Sequence, residues 1–259
     1  IEAAITTNTT AILAVHCYGN PCEIEKIQRI ADKHSLKVIY DAAHAFGVRY
    51  KGKSVLAYGD CSVLSFHATK VFNTGEGGAI VFNERERSNK ASLLRNFGIV
   101  NEEIVADIGI NAKMSEMCAA LGITQLEHIG HVISKRRSVA ELYKEQLDDV
   151  PGISLPCRHF LNGNLAYFPI LVEDEFALTR DELYNKLKIE NIYTRRYFYP
   201  LITDFPMYQK NQSSISNNLH IANKISKKVL CLPIHTNLDF NAVTLISDTI
   251  KNLIKFNKK

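Results

Sequence analysis

Between Ala11 and Asp41 the chain reads as strand, helix and strand within about thirty residues, and that run limits the folds open to it. Ala11 to His16, AILAVH, is a continuous apolar run of the kind found in strands covered on both faces. A glycine breaks it in YGNP. Glu23 to His34 then carries Ile24, Ile27, Ile30 and Ala31 at helical spacing, and LKVIYD is a second apolar run ending at Asp41. Strands joined this way pair in parallel through a crossover. CSVLSF (Cys61 to Phe66) and GGAIVF (Gly77 to Phe82) read as a third and a fourth strand. The expected class is α/β with a mostly parallel sheet, whose ligands gather at the carboxyl edge of the strands. Asp41, Ser65 and Lys70 fall at such ends.

The second half changes character. From about Ser115 to Leu147 the text is helical, with Met117, Ala120, Leu121, Thr124, Ile129 and Ile133 as an apolar stripe and a kink expected near Gly130. Next come a strand AYFPILV (Ala166 to Val172) and a helix opened by the capping box Thr179-x-x-Glu182. A Tyr-rich YTRRYFYPL, an apolar VLCLPI and a last helix from Asn241 to Ile254 follow. The expected division is residues 1–130 as part of a large domain and residues 131–259, reached through the long helix, as a small α+β domain. NQSSISNN (Asn211 to Asn218) is the polar loop of note.

Composition removes several classes of function. Lysine and arginine total 31 against 27 acidic residues, and the excess is spread along the chain, which describes a solvated surface and not a nucleic-acid footprint. No apolar run has the length to span a bilayer and no basic start marks a signal peptide, so no membrane partner is expected. The six cysteines (Cys17, Cys22, Cys61, Cys118, Cys157, Cys231) form no CxxC pair, which fits reduced thiols in a cytoplasmic protein. His16, Cys17 and Cys22 lack a fourth ligand at a suitable spacing for zinc, so no metal is expected. GEGGAI precedes a strand instead of opening a helix and lacks the spacing of a phosphate loop; it reads as a tight turn. The chain opens with IEAAITTNTTAILAV, without an initiator Met and almost at once in a strand, so an N-terminal portion is expected ahead of it.

The stretch SFHATK puts Lys70 after a buried strand. An ammonium is seldom placed there without a partner. Burial that removes its charge makes the amine a nucleophile able to form a Schiff base. Pyridoxal phosphate needs such a lysine, a carboxylate facing its pyridine nitrogen, and hydroxyl or main-chain donors for its phosphate. Lys70, Asp41 and Ser65 are those three types. Taken singly, each has an ordinary reading: Asp41 as a turn residue, Ser65 as a strand-end hydroxyl, Lys70 as a solvated amine, His44 and His67 as satisfied imidazoles near the surface. Order and spacing together carry the argument.

That order resembles the DegT/StrS family of pyridoxal-phosphate-dependent nucleotide-sugar aminotransferases, of the aspartate aminotransferase fold (fold type I). The likeness runs from AILAVH through IYDAAHAFG, SFHATK and GEGGAIVF to LRNFGI, GINAKMSEMCAALGITQLEHI and RRYFYPL, nearly the whole chain. It implies that Lys70 forms the Schiff base and shuttles the proton, that Asp41 pairs with the pyridinium nitrogen, and that His44 lies beside the ring hydroxyl. Ser65 binds the phosphate, and Asn111 reaches the phosphate of a neighbouring subunit's cofactor, which implies a homodimer with shared active sites. Tyr197 and Tyr199 are implied to approach the sugar.

Family members carry a further segment ahead of this start, with a Gly-Ser/Thr phosphate dipeptide and a ring stacked on the cofactor. The expectation is that residues 1–259 alone bind the cofactor poorly. SFHATK followed by GEGG resembles members that aminate C4 of a dTDP- or UDP-linked 4-keto-6-deoxy sugar, with glutamate as donor, in polysaccharide or natural-product biosynthesis; C3-specific members more often read SFYPGK. A family dehydratase has His in place of the lysine, which Lys70 argues against. A non-catalytic relative and a cysteine desulfurase of the same fold are the rivals. The intact trio opposes the first, and the lack of a cysteine in a flexible polar loop opposes the second.

Overall fold

The computed structural model describes residues 1–156, 163–210 and 219–256, with side chains to residue 253. Cys157 and Asn211 to Asn218 lie outside the described residues. The chain divides into two compact units, Ile1–Ile133 and Ser134–Lys259.

The first unit is built on a four-stranded sheet. β1 (Ala11–Val15) leads through a short turn at Cys17–Gly19 into α1 (Ile24–Lys33) and back to β2 (Lys37–Asp41). A small hairpin, β3 (Arg49–Tyr50) and β4 (Lys53–Ser54), precedes β5 (Cys61–Ser65), β6 (Gly78–Phe82) and α2 (Arg85–Leu94). The order is β1-β2-β5-β6. The first three strands are parallel and β6 is antiparallel to β5. Each expected strand is present, ending one residue earlier at His16 and Phe66 and starting one later at Gly78, where the chain turns.

One face of this sheet is a core. α1 lays Ile24, Ile27 and Ala31 against Val38, Tyr40 and Leu64, with Ile12, Ala14 and Val81 beside them. Each buried isoleucine contributes about 2 kcal/mol by leaving water. The opposite face is different. Leu13 (66% exposed), Val15, Val63 and Ile80 (53%) all meet solvent. Pairing sets Val15 beside Asp41, Asp41 beside Val63 and Val63 beside Ile80. Because register partners share a face, Asp41 is the one carboxylate in an apolar cross-strand row.

α3 (Glu116–Leu147) is one continuous helix, uninterrupted through Gly130, where a kink was expected. A glycine in open space there, with nothing within 4 Å of a Cβ position, lowers propensity without breaking the hydrogen-bond ladder. Of the apolar stripe, Met117 (83% exposed), Ala120, Leu121 and Thr124 meet solvent and Ile129 and Ile133 are half-buried; the fully buried α3 side chains lie beyond it, at Val139, Ala140, Tyr143 and Leu147.

The second unit has a three-stranded antiparallel sheet of β7 (Ile153–Ser154), β8 (Phe168–Val172) and, after α4 (Arg180–Ile189) and α5 (His220–Lys228), β9 (Val229–Leu232). α6 (Phe240–Phe256) closes it, one residue earlier and two later than its apolar text suggests. The capping box forms as read: the Thr179 side chain accepts the Glu182 N–H and the Glu182 carboxylate accepts the Thr179 N–H. Pro169 sits inside fully buried β8, where a proline ordinarily costs a ladder bond. It costs none here, because its partner Cys231 exchanges both main-chain bonds with Arg195.

Candidate functional site

The first unit gathers its reactive groups at the carboxyl ends of β2 and β5. Asp41 is the last residue of β2; its main-chain oxygen accepts the His16 N–H at 3.0 Å, and the following Ala42 N–H donates to Val63 on β5. The side chain bends back to accept the Ala43 N–H at 2.9 Å. This is the turn role available to any strand-end aspartate, and it fixes the direction of the carboxylate. His44 follows on the same connection and is buried.

β5 ends at Ser65, and Lys70 follows in the turn beyond it. The Lys70 N–H donates to the His67 carbonyl at 2.9 Å, and the Ser65 hydroxyl accepts the His67 N–H at 3.3 Å, which leaves the hydroxyl hydrogen to donate elsewhere. The return to β6 is tight. Gly77 has φ of +155°, and a Cβ there would stand 2.5 Å from the Thr74 hydroxyl and 2.8 Å from Met114, so only glycine fits. The glycine-rich text is the tight turn it was read as.

Three rings join these two connections. Phe46 stacks on Phe72 at 4.2 Å, and Phe66 meets Phe72 edge-on at 4.9 Å. Phe46 belongs to the Asp41 segment, while Phe66 and Phe72 bracket Lys70. Such pairs contribute about 1 kcal/mol each beyond the area they bury. The aromatic clasp brings Lys70 within electrostatic reach of Asp41 and His44. Its signal was in SFHATKVF, an aromatic on each side of the lysine, and passed unread.

The charges in this group answer to burial first. Lys70 is half-buried, and loss of water pulls its amine below the ordinary lysine value while the Asp41 carboxylate partly restores it. His44 is pushed down to about 4 by burial and by the nearby Lys70 ammonium, against the pull of Asp41. His16 is likewise lowered to about 4 by burial. It lies fully buried, stacked on Tyr40 at 4.6 Å, with Nδ1 accepting the Cys22 N–H at 3.1 Å.

Asp41, His44, Ser65 and Lys70 thus share one end of the sheet. Asn111 is exposed, bridges main chain with Asn96, and accepts the Lys113 ammonium on its side-chain oxygen at 2.8 Å. Tyr197 and Tyr199 belong to the second unit, where the Arg180 guanidinium stands 4.5 Å over the Tyr199 ring. Among the described residues no three His, Cys, Asp or Glu side chains converge as a metal site would require. No helix among them is long and apolar enough to cross a membrane.

The donor set fits one kind of group. An amine of lowered basicity suits an aldehyde, a carboxylate fixed by its own main chain suits a basic ring nitrogen, and a strand-end hydroxyl suits a phosphate. Pyridoxal phosphate carries all three.

Comparison with known proteins agrees. The model of the DegT/DnrJ/EryC1/StrS aminotransferase family matches residues 1–251. A dTDP-4-amino-4,6-dideoxy-D-glucose transaminase of Shigella dysenteriae is 51% identical over 255 residues, 98% of this chain and 69% of that protein. One of the same name from Escherichia coli is 48% identical over 251 residues, 95% of this chain and 67% of that protein. Among solved structures, DesI in the presence of its TDP-sugar product aligns with a TM-score of 0.91 at 32% identity, over 100% of this chain and 66% of that one. The chain spans about two thirds of the length of these relatives. From strand order, donor set and matched text together, the chain belongs to the DegT/DnrJ/EryC1/StrS aminotransferase family, whose cofactor is pyridoxal 5'-phosphate.

Proposed function

We propose that the protein transfers an amino group from glutamate to C4 of a nucleotide-linked 4-keto-6-deoxy sugar of the dTDP-4-keto-6-deoxyglucose type. The product would serve cell-surface polysaccharide or natural-product synthesis. The observation that carries this reading is the half-buried Lys70, its basicity lowered beside Asp41, in a chain about half identical to two dTDP-4-amino-4,6-dideoxy-D-glucose transaminases. When bound, pyridoxal phosphate supplies an electron sink for the bonds around the amine-bearing carbon.

The chain's own groups do the rest. The Lys70 amine would hold the cofactor, and the same amine would serve as the group that moves a proton at the substrate carbon. Asp41, with its carboxylate held by the Ala43 N–H, would favour a positive charge on the ring nitrogen. Ser65 would donate its hydroxyl hydrogen to the phosphate, and His44 would hold the ring oxygen. Tyr197 and Tyr199 are assigned to the sugar on the family likeness.

We place the working molecule as a cytoplasmic homodimer. Cys17, Cys22, Cys61 and Cys118 are free thiols, which suits a reducing compartment. Ile99, Val100, Ile104, Val105, Ile108 (94% exposed) and Ile110 form an apolar surface on the segment that leads to Asn111. A patch of that kind marks an interface. Asn111 is assigned to the phosphate of the partner's cofactor.

Borohydride reduction of the cofactor-loaded protein tests the centre of this reading. The reduced adduct should map to Lys70 by mass spectrometry, and the loaded protein should convert glutamate and dTDP-4-keto-6-deoxyglucose into 2-oxoglutarate and the 4-amino sugar. An adduct on another lysine removes Lys70 from its role; amination at C3 overturns the assignment of the carbon.

A further inference from the structure

The turn between β1 and α1 has an unusual backbone. Tyr18 has φ of +56° and ψ of +14°, and Gly19 follows at φ of +84°. For a tyrosine the left-handed region costs about 1–2 kcal/mol. Within the turn, the Gly19 N–H donates to the His16 carbonyl and the Asn20 N–H to the Cys17 carbonyl, both at 3.0 Å. The Tyr18 N–H is used differently. It leaves the turn and donates to Nδ1 of His44 at 3.2 Å. The same connection gives the Cys22 N–H to Nδ1 of His16. One strained loop supplies a main-chain donor to each of two buried imidazoles.

A nitrogen that accepts an N–H cannot carry a proton of its own. With Nδ1 of His44 committed as acceptor, the neutral ring must hold its proton on Nε2. A second protonation would have to displace the Tyr18 N–H, in a buried place, against the Lys70 ammonium; the opposing charge is Asp41, at the end of β2. We propose that the Tyr18 main-chain N–H locks His44 as the neutral Nε2–H tautomer, making His44 a fixed hydrogen-bond donor, and never a base, toward the oxygen the cofactor presents to it. Tyr18 is then a positioning residue acting through its backbone. The inference rests on the pyridoxal phosphate reading for its second half only; the tautomer is a property of the protein without cofactor.

The two halves are tested separately. Nitrogen-15 NMR of histidine-labelled protein without cofactor, with the His44 signals identified by His44→Gln, should show one proton, on Nε2, and no titration between about pH 5.5 and 8.5. A proton on Nδ1, or a midpoint near the ordinary histidine value, overturns the lock. Tyr18→Gly keeps the N–H and relieves the left-handed strain, so the tautomer should survive. Its loss in that variant would assign the hold to the tyrosine ring and overturn the proposal. In the loaded protein, donation to the ring oxygen favours the form that has lost the imine proton. The pH midpoint of the visible band should therefore stay in His44→Gln, which keeps an N–H donor, and rise by about one unit in His44→Leu. An unmoved midpoint in His44→Leu overturns the donor role, whatever the NMR shows. Mapping of the borohydride adduct in the same preparations reports independently on whether the cofactor is held at Lys70.

Discussion

Burial of His16 ties the stability of the first unit to pH. Unfolded, it takes a proton near 6.5; folded, it does so only near 4. Between those values the unfolded chain binds more protons, so the stabilisation is whole above pH 6.5 and is lost as pH falls toward 4. The lost amount is about 3 kcal/mol, and His44 adds a loss of the same sign. His16→Gln retains an acceptor for the Cys22 N–H and carries no titrating proton. Its urea midpoint should fall less steeply between pH 6.5 and 4.5 than that of the parent, and an identical slope would take His16 out of the acid response. At this scale the sequence was readable in identity and silent in state. Asp41, Ser65 and Lys70 announce themselves by residue type and place. Burial is what keeps His44 and His16 neutral, and each ring nitrogen Nδ1 meets a main-chain N–H, from Tyr18 and Cys22, whose direction no residue letter records.

The elements divide in the same manner. The run from β1 to β2 was legible because burial enforces a pattern on every residue. The aromatic clasp was harder to see, since Phe46, Phe66 and Phe72 meet only after two connections have folded. In the second unit α4 opens on a capping box evident in the text, yet the residue after the cap carries more. Arg180 is 4% exposed; it donates to the Ser226 and Val229 carbonyls at 3.0 and 3.1 Å and to Asp181, which also binds Arg196. Both guanidinium groups lie over Tyr199, at 4.5 and 5.6 Å. Arg180→Met would leave two buried carbonyls without a donor and an acid with one partner fewer. The expected loss is about 3 kcal/mol, read as a lower urea midpoint for the second unit. Arg180→Lys, with one ammonium in place of a planar fork, should recover less than half of it. A variant as stable as the parent would show that the guanidinium is dispensable to the unit.

For the molecule as a whole, exposed apolar surface is the feature that composition cannot reveal. The stripe on α3 promised burial from Met117 onward, and the structure leaves Met117, Ala120, Leu121 and Thr124 in solvent and half-buries Ile129 and Ile133. The proposed homodimer would cover the isoleucine-rich segment before Asn111. Ile108→Asp should leave the fold intact, because that side chain is almost wholly in solvent, and should move the sedimentation coefficient toward that of a monomer. Unchanged assembly would place the interface elsewhere. The row Val15, Asp41, Val63 and Ile80 has another consequence. An apolar layer laid on it would gain from four strands at once but would strip water from a carboxylate, which is unfavourable unless a cation meets that carboxylate in the same event. On the proposed pyridoxal phosphate reading, covering that face and binding a positively charged ring would favour each other by the same factor. Asp41 already feels the Lys70 ammonium, and on that reading a bound ring would add a second positive partner that makes the covered face still more favourable.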